Sequence, residues 1–452
     1  MLLRQCVFLT MICLSLITRG NKAVENRVLL QGFYWESFQS RNNTDGMRWY
    51  QLVRSKADQI RSADFDLIWL PPPSYAGEKS AGYNPKEYYN LNNSYGSEKE
   101  QEALLRTLND YGIDPIADIV INHRDGSTGW AAFQNPTWGT NAITQSDEAF
   151  NNPASEVVNT PLGERGGSEE QIDYAPGRLT YAYDSYRDID HNNAEVRRDI
   201  IRFLGILKSM GYKGWRYDMV HGYHAKWVAL YNKETNPSFS VGEYDWDRQG
   251  EQRGWIMASN FGTEKYSSVF DFSTWRYLRE NINHPVALYG PDGKGFGLIA
   301  DRTDGINWAK WAVTFVENHD TGEREGSPPG HDEDSVENNH EVRMAYAYIL
   351  SHPGLPSVFW KHYFDWGEQL QDTIDDLIQA RKRAGVHAES KVHFQNNAKE
   401  RGVYAAAIEG DNNKMLLIRI GGTDTQWHPE HSGYMDCRLM ARGENWKVWI
   451  LN

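Results

Sequence analysis

The sequence predicts a closed (β/α)8 barrel, and three observations lead to this prediction. Eight short β-rich runs alternate with helix-like segments along most of the chain. The length of 452 residues suits a large barrel with an appended module. Four of the runs end in ionisable residues, and the carboxyl ends of the strands are where a barrel of this kind places its functional groups.

The eight runs are short enough to be single barrel strands. In chain order they cover residues 28–35, 66–70, 115–121, 214–218, 239–243, 268–272, 312–316 and 356–360. The intervening segments have helical periodicity, most clearly over residues 47–62, 98–111, 194–210 and 341–350. Ser97 and Glu100 form a capping-box pattern at the start of the second of these helices.

Residues 1–20 have the composition of a secretory signal. Arg4 precedes an apolar run over residues 6–17, which is too short to span a bilayer, and small or polar residues follow. An uncleaved anchor or a buried first strand is the alternative. Because no later segment resembles a membrane span, we expect a secreted, extracellular protein with no membrane association after signal removal.

Cysteine content and charge narrow the classes of partner. Signal removal leaves Cys437 as the one remaining cysteine, so no intrachain disulfide can form. A bound metal ion is the usual alternative means of stabilising a secreted fold. Loss of Arg4 and Arg19 takes the net charge from −14 to −16, which argues against nucleic acid as a partner. The 17 Trp and 25 Tyr could stack on sugar rings, although most such residues pack in the core or against the protein surface.

Two regions depart from the alternating pattern. About ninety residues separate the third and fourth runs, so we predict an irregular subdomain over residues 123–190, inserted into a barrel that covers residues 21–388. After residue 389 the strand-like runs 403–408, 415–420 and 446–450 predict a small antiparallel β-domain over residues 389–452. This tail either covers the barrel or binds sugar at its surface.

Ionisable groups follow the third, fourth, fifth and seventh runs. They are Asp118, Asn122 and His123, then Arg216 and Asp218, then Glu243, and finally Glu317, Asn318, His319 and Asp320. Each alone could be a loop cap or a surface ion pair. Four strand ends that meet at one barrel opening indicate a shared site, and two carboxylates flanking an acetal bond are what glycoside hydrolysis requires. Adjacency of the fourth and fifth strands favours the nucleophilic, retaining route.

Ten motifs together identify a family. The segments QGFYWES, IWLPPPS, GYNP, DIVINH, DIDH, GWRYD, VGEY, FVENHD, HYFDWG and HAESK stand in this order along the mature chain. The sequence therefore resembles an α-amylase of glycoside hydrolase family 13, closest to the plant-type branch. The resemblance implies that Asp218 is the nucleophile, Glu243 the general acid/base and Asp320 the group that holds substrate hydroxyls and stabilises the transition state.

The resemblance also implies substrate contacts. It places Arg216 beside Asp218, and positions i and i+2 of a strand do face the same side. It implies that His123 and His319 bind sugar hydroxyls and that Tyr83 stacks on the ring, although such residues are often structural. His221 and the following glycine depart from the family pattern beyond the nucleophile, so His221 is a candidate contact on the leaving-group side.

The family resemblance further implies a Ca2+ ion between the barrel and the inserted subdomain. Asn122 matches the side-chain ligand, Asp188 the acidic ligand, and Gly222 offers a backbone carbonyl. Asp184 is an additional candidate. Turn formation is the alternative role for these Asn and Asp residues.

The combined prediction is a secreted, calcium-dependent, monomeric retaining hydrolase that cuts internal α-1,4 bonds of starch, glycogen and related glucans. A maltooligosaccharide-forming amylase, an α-1,6-glucosidase or a transglycosylase is the alternative within the same enzyme class. A non-catalytic glucan-binding protein is the alternative from another class.

Overall fold

The structure is a computed structural model that describes residues 26–42, 46–166, 186–245, 248–263, 265–322 and 339–451. The predicted signal, residues 1–20, lies outside these ranges. No helix within them is both long enough and apolar enough to cross a membrane.

The described ranges contain fifteen strands and eleven α-helices. The strands are β1 (Leu29–Gln31), β2 (Leu67–Leu70), β3 (Asp114–Ile119), β4 (His123–Arg124), β5 (Arg187–Asp188), β6 (Gly214–Tyr217), β7 (Phe239–Gly242), β8 (Ser268–Phe270), β9 (Ala312–Phe315), β10 (Leu355–Phe359), β11 (Val392–Phe394), β12 (Tyr404–Glu409), β13 (Met415–Ile420), β14 (Arg438–Arg442) and β15 (Trp446–Leu451). The helices are α1 (Trp49–Ser55), α2 (Ala57–Ser62), α3 (Glu98–Asp110), α4 (Ala194–Met210), α5 (Ala225–Thr235), α6 (Gln249–Ala258), α7 (Phe272–Asn281), α8 (Gly297–Ala300), α9 (Asn339–Ser351), α10 (Glu368–Ala384) and α11 (Asn396–Lys399).

Eight parallel strands close into a barrel, as the sequence predicts. Around the barrel their order is β1, β2, β3, β6, β7, β8, β9, β10 and back to β1. Each of these strands lies inside a predicted run or begins one residue before it. Several observed strands end earlier than predicted, because the last residues of the run, such as Asp218 and Glu243, already belong to the loops at the barrel mouth.

The outer helices agree with the predicted periodicity, with one difference. The capping box at the start of α3 is present, since the Ser97 N–H donates to Glu100 Oε2 at 2.6 Å and the Glu100 N–H donates to Ser97 Oγ. The predicted helix over residues 47–62 is divided into α1 and α2 at Lys56. Just before this break the Ser55 hydroxyl donates to the Leu52 carbonyl, a local bond that competes with the helical pattern.

The chain leaves the barrel after β3 and forms the inserted segment. Within the described residues this segment has short 3-10 turns at Thr140–Ala142, Glu148–Phe150 and Leu162–Glu164, in agreement with the predicted irregular structure. β4 and β5 pair antiparallel and place Asp188 opposite His123. The insertion thus returns to the strand end from which it departed.

The carboxyl-terminal region is a five-stranded antiparallel sheet in the order β11, β12, β13, β15, β14. The three predicted strands are present, and β11 and β14 were not predicted. Helices α9 and α10 pack against the sheet. His352, which follows α9, lies with its Nε2 2.6 Å from the hydroxyl of Tyr404 in β12, so a buried polar contact joins the barrel to the sheet. The buried Arg381 guanidinium of α10 donates to the carbonyls of His352 and Gly354 and fixes this segment within the barrel.

Candidate active site

Arg216 lies at the centre of the candidate site and contacts three carboxylates. Its Nη1 donates to Asp118 Oδ1 at 2.8 Å and to Asp218 Oδ1 at 2.7 Å, and its Nη2 lies 2.8 Å from Glu243 Oε1. Asp118 comes from β3, which neighbours β6, and Glu243 directly follows β7 on the other side of β6. The predicted same-side placement of Arg216 and Asp218 is confirmed.

Asp118 is the member of this cluster for which sequence reasoning predicted no individual role. Its Oδ2 accepts hydrogen bonds from Trp69 Nε1 at 3.0 Å and from the Tyr83 hydroxyl at 2.8 Å. Burial raises the pKa of Asp118 to about 6, while Arg216 acts in the opposite direction. The sequence signal was limited to the position of a carboxylate inside the third predicted run, because the pairing of Asp118 with Arg216 of the neighbouring strand is visible only in the structure.

Asp218 and Glu243 are held close together by their backbone as well as by Arg216. The Met219 N–H donates to Glu243 Oε2 at 3.0 Å, and the Val220 N–H donates to the Glu243 carbonyl at 3.1 Å. Met219 adopts a left-handed backbone conformation with φ 46°, which turns the chain sharply after Asp218. Burial raises the pKa of Asp218, the neighbouring carboxylates raise it further, and Arg216 opposes them.

Asp320 occupies a more open position on the loop after β9. Its carboxylate is 41% exposed, and its Oδ2 lies 3.1 Å from His319 Nε2. The Asn318 carboxamide oxygen accepts from the backbone N–H groups of Asp320 and Thr321, which fixes the turn. Asp320 is thus positioned on rigid backbone while its carboxylate remains accessible.

An aromatic wall of Trp35, Tyr83 and His319 borders the cluster. The Tyr83 ring is nearly parallel to Trp35 at 5.7 Å and to His319 at 5.2 Å between centroids. The Gln31 side-chain amide lies 3.0 Å from His319 Nδ1, and if it donates there, His319 Nε2–H faces Asp320. The wall connects two predicted sugar contacts, Tyr83 and His319, with one ring, Trp35, that was not predicted.

His123 is buried behind Tyr83. Its Nε2 donates to the Tyr83 carbonyl at 2.7 Å, since a carbonyl can only accept, and Asn122 Nδ2 lies 3.3 Å from its Nδ1. Burial lowers the pKa of His123 to about 4, so the ring is neutral at neutral pH. Both ring nitrogens lie within hydrogen-bond distance of protein groups, so the structure places His123 behind Tyr83, and its predicted sugar contact stays a prediction.

His221 bridges the loops that follow β6 and β7. It is almost fully buried, and its Nδ1 lies 3.0 Å from Asp245 Oδ1, a carboxylate that is 46% exposed. Because Asp218 precedes His221 by three residues and Glu243 precedes Asp245 by two, this contact joins the two loops next to the paired carboxylates. The structure therefore places His221 close to the paired carboxylates, and its predicted substrate contact stays a prediction.

The predicted calcium ligands lie on three different segments. The Asn122 carboxamide oxygen is buried and accepts no hydrogen bond from the described residues, while its Nδ2 lies 3.4 Å from Asp188 Oδ1. A Cβ placed on Gly222 would lie 1.9 Å from that Asn122 oxygen, so the Gly222 backbone closely approaches it. Asp184 lies outside the described residues.

This donor set is compatible with calcium, which prefers carboxylate, amide and carbonyl oxygens. Within the described ranges, three or more His, Cys, Asp or Glu side chains do not come together in a metal-binding group. A cation held by the described residues would therefore need amide and backbone oxygens in addition to a carboxylate. The predicted ligands provide this combination, with the amide of Asn122, the backbone carbonyl of Gly222 and the carboxylate of Asp188.

The closed barrel with carboxylates grouped around an arginine at its mouth defines a (β/α)8 glycoside hydrolase. Two family models match the chain. The family model described as "Alpha amylase, catalytic domain" matches residues 33–362. The family model described as "Alpha-amylase C-terminal beta-sheet domain" matches residues 383–450. The chain belongs to the alpha-amylase family.

Individual relatives agree with this assignment. The chain is 32% identical over 442 residues to probable alpha-amylase 2 of Arabidopsis thaliana, with 93% of each chain covered. It is 31% identical to the chloroplastic alpha-amylase 3 of the same plant, over an aligned region that covers 93% of this chain and 44% of that protein. An Anoxybacillus alpha-amylase structure shares the fold with a TM-score of 0.64 and 14% identity, over 94% of this chain and 97% of the other.

Proposed function

We propose that this protein hydrolyses internal α-1,4 bonds of starch-like glucans with retention of configuration. The observation that carries the proposal is the grouping of Asp218 and Glu243 at the two nitrogens of one guanidinium. Retaining enzymes separate their two carboxyl groups by only about 5–5.5 Å, whereas inverting enzymes need about 6.5–9.5 Å for an intervening water. Two carboxylates that share one guanidinium favour the shorter separation.

In the proposed reaction Asp218 and Glu243 act on opposite sides of the same bond. Asp218 attacks the anomeric carbon and forms a covalent glycosyl ester, while Glu243 protonates the departing glycosidic oxygen. Glu243 then removes a proton from water, which attacks the ester and releases Asp218. The left-handed turn at Met219 and its hydrogen bond to Glu243 keep both groups in fixed relative positions.

The remaining site residues support substrate binding in this scheme. Asp320 is accessible and can accept hydrogen bonds from sugar hydroxyls. Tyr83 offers a ring face next to the cluster, and His319 offers a polar contact beside Asp320. A sugar contact by His123 would require its Nε2 to exchange the Tyr83 carbonyl for a sugar hydroxyl. Such contacts strengthen catalysis when they are best formed in the distorted, oxocarbenium-like transition state.

We also propose that Asn122, Asp188 and the Gly222 carbonyl hold a calcium ion. When bound, calcium would supply a structural tie between the barrel and the inserted segment. The Asn122 oxygen is buried and accepts no hydrogen bond from the part of the chain that the structure describes, which favours this role over simple turn formation. Secretion remains part of the proposal and is supported by the apolar run after Arg4.

The test compares Asp218→Asn and Glu243→Gln with the wild type on soluble starch, with release of reducing ends as the measurement. We expect each variant to lose at least about 10³-fold in kcat, because each removes a group that bonds to a reacting atom. Asp110→Asn and Glu98→Gln, which make the same changes at exposed positions of α3, are the matched controls. Wild-type activity in either site variant would contradict the proposal.

Product analysis distinguishes the related specificities. Internal cleavage lowers starch viscosity long before small sugars accumulate, whereas a maltooligosaccharide-forming enzyme releases one short product from the beginning. Cleavage of α-1,6 branch points would indicate an α-1,6-glucosidase, and formation of new glycosidic bonds would indicate a transglycosylase. Starch binding by the wild type without release of reducing ends would support a non-catalytic role.

A further inference from the structure

A buried acid and a buried histidine meet between the ends of the neighbouring strands β9 and β10. Glu317 follows β9 and is 1% exposed in its side chain, and His362 follows β10 and is 0% exposed. His362 Nε2 lies 3.1 Å from Glu317 Oε2. Burial of a carboxylate is unfavourable unless a polar or charged group accompanies it. The proposed reaction uses neither residue, so this contact needs an explanation of its own.

Glu317 also contacts the turn that follows it in the chain. This turn, residues 318–322, is closed by a hydrogen bond of 2.9 Å from the Gly322 N–H to the Asn318 carbonyl. A Cβ placed on Gly322 would lie 3.2 Å from Glu317 Oε2 and 3.0 Å from the Phe359 ring. The turn therefore rests directly on the Glu317 carboxylate and on β10, and a displacement of that carboxylate would move the turn.

His362 is oriented by a second polar contact on its other side. Its Nδ1 lies 2.8 Å from the hydroxyl of Tyr346 in α9, and this hydroxyl accepts a hydrogen bond of 3.1 Å from the Phe359 N–H. A hydroxyl that accepts one hydrogen bond can still donate its own proton. If it donates to Nδ1, the ring proton lies on Nε2, the nitrogen nearest to Glu317. The imidazole thus connects α9 to the carboxylate below the turn.

The turn on which these contacts converge is the one that bears Asp320. The Asp320 carboxylate is 41% exposed, so its position depends largely on the backbone to which it is attached. Glu317 stands three residues before Asp320 in the motif FVENHD, and His362 opens the motif HYFDWG. Neither the strand pattern nor the proposed reaction supplies a function for HYFDWG.

We propose that Glu317 and His362 are positioning residues for Asp320. They act through the backbone of residues 318–322 and do not touch the substrate. The inference rests on the proposed function, since that function gives Asp320 its role in the transition state. A small misplacement of a group that must meet the transition state lowers the rate strongly. Loss of the contact therefore lowers kcat although every group that touches the sugar is still present.

The experiment is a double-mutant cycle in the full-length protein, with kcat on a short chromogenic maltooligosaccharide as the measurement. His362→Leu should lower kcat at least tenfold by itself and less than twofold when added to Asp320→Asn, because the carboxylate to be positioned is then absent. His362→Gln, which keeps a nitrogen donor close to the place of Nε2, should retain at least a third of the wild-type kcat. His352→Leu, at another buried histidine in contact with a tyrosine hydroxyl, is the matched control and should have the same effect with and without Asp320→Asn.

A milder variant keeps the test decisive if His362→Leu does not fold. Tyr346→Phe removes one hydroxyl from the contact and should lower kcat at least threefold, again only when Asp320 is present, with Tyr404→Phe as its control. A kcat within twofold of the wild type in each folded variant, equal losses with and without Asp320→Asn, or a His362→Gln protein no faster than His362→Leu would overturn the inference. Failure of the proposed function is recognised separately, because the wild type would then release no reducing ends from soluble starch.

Discussion

Replacement of Arg216 by methionine tests how the carboxylate cluster works. Methionine retains much of the apolar volume of the side chain and removes the charge. Arg216 is 1% exposed in its side chain, and its partners Asp118 and Asp218 are 0% and 9% exposed. The variant therefore leaves buried carboxylates without their shared cation, a change that costs about 3–5 kcal/mol when a buried ion pair is broken.

The expected shift in pKa follows from this energy. If about 3 kcal/mol is shared equally between Asp118 and Asp218, the pKa of each rises by about one unit, since one unit corresponds to about 1.4 kcal/mol. An aspartate whose pKa is higher in the folded than in the unfolded protein stabilises the fold at low pH, and this stabilisation is lost as the pH rises through the folded pKa. Arg216→Met should therefore lose more stability at pH 7.5 than at pH 4.5.

The assays are chemical unfolding at these two pH values and the pH dependence of kcat/KM on a short maltooligosaccharide. Because Asp218 must be ionised to attack, the acidic limb of the kcat/KM profile should move up by about one pH unit in Arg216→Met and by less in Arg216→Lys. Arg419→Met, which removes a buried arginine from the carboxyl-terminal sheet, is the control for general destabilisation. A folded Arg216→Met protein with an unchanged acidic limb and equal stability loss at both pH values would refute the reasoning.

Two further predictions concern the loop after Asp218. Gly222→Ala places a Cβ 1.9 Å from Asn122 Oδ1, so the variant should melt at a lower temperature than the wild type and lose most of the stabilisation by calcium. Thermal unfolding with and without a chelator measures both effects. A calcium-dependent shift in melting temperature equal to that of the wild type would contradict the proposed metal site. His221→Gln and Asp245→Asn each weaken the contact between the two loops and should raise KM for long glucans. Aryl maltosides should show little change in KM, because they place no sugar on the leaving-group side, and equal losses on both substrates would contradict a role of His221 on that side.

The barrel could be predicted because its signal is local. Each barrel strand is a short β-rich run, and each observed barrel strand lies inside a predicted run or begins one residue before it. The placement of Arg216 and Asp218 on one side of β6 is also local, since it depends only on the alternation of a strand. The division between α1 and α2 was missed because it accompanies a single side-chain hydrogen bond at Ser55 that periodicity does not contain.

The contacts between strands depend on register and could not be predicted in the same way. Asp118 meets Arg216 because these two residues are paired across β3 and β6, and nothing within either run fixes that pairing. Asp188 reaches Asn122 only because β5 returns from the insertion to pair with β4. Trp35 and Tyr83 likewise stack after long chain separation. Family resemblance supplied roles for several of these residues, whereas Asp118 and Trp35 needed the three-dimensional arrangement.

The shared guanidinium changes the interpretation of Arg216. The sequence placed Arg216 beside a single partner, Asp218. The structure shows three carboxylates around this one cation, with a net charge of −2 when all three acids are ionised. A buried group with excess negative charge favours retention of a proton. The proposed double displacement needs one ionised and one protonated carboxyl at the same time. Trp69 and Tyr83 donate hydrogen bonds that stabilise the charge on Asp118, so Asp118 is suited to remain ionised beside Arg216, while the proposed reaction assigns the proton transfers to Glu243.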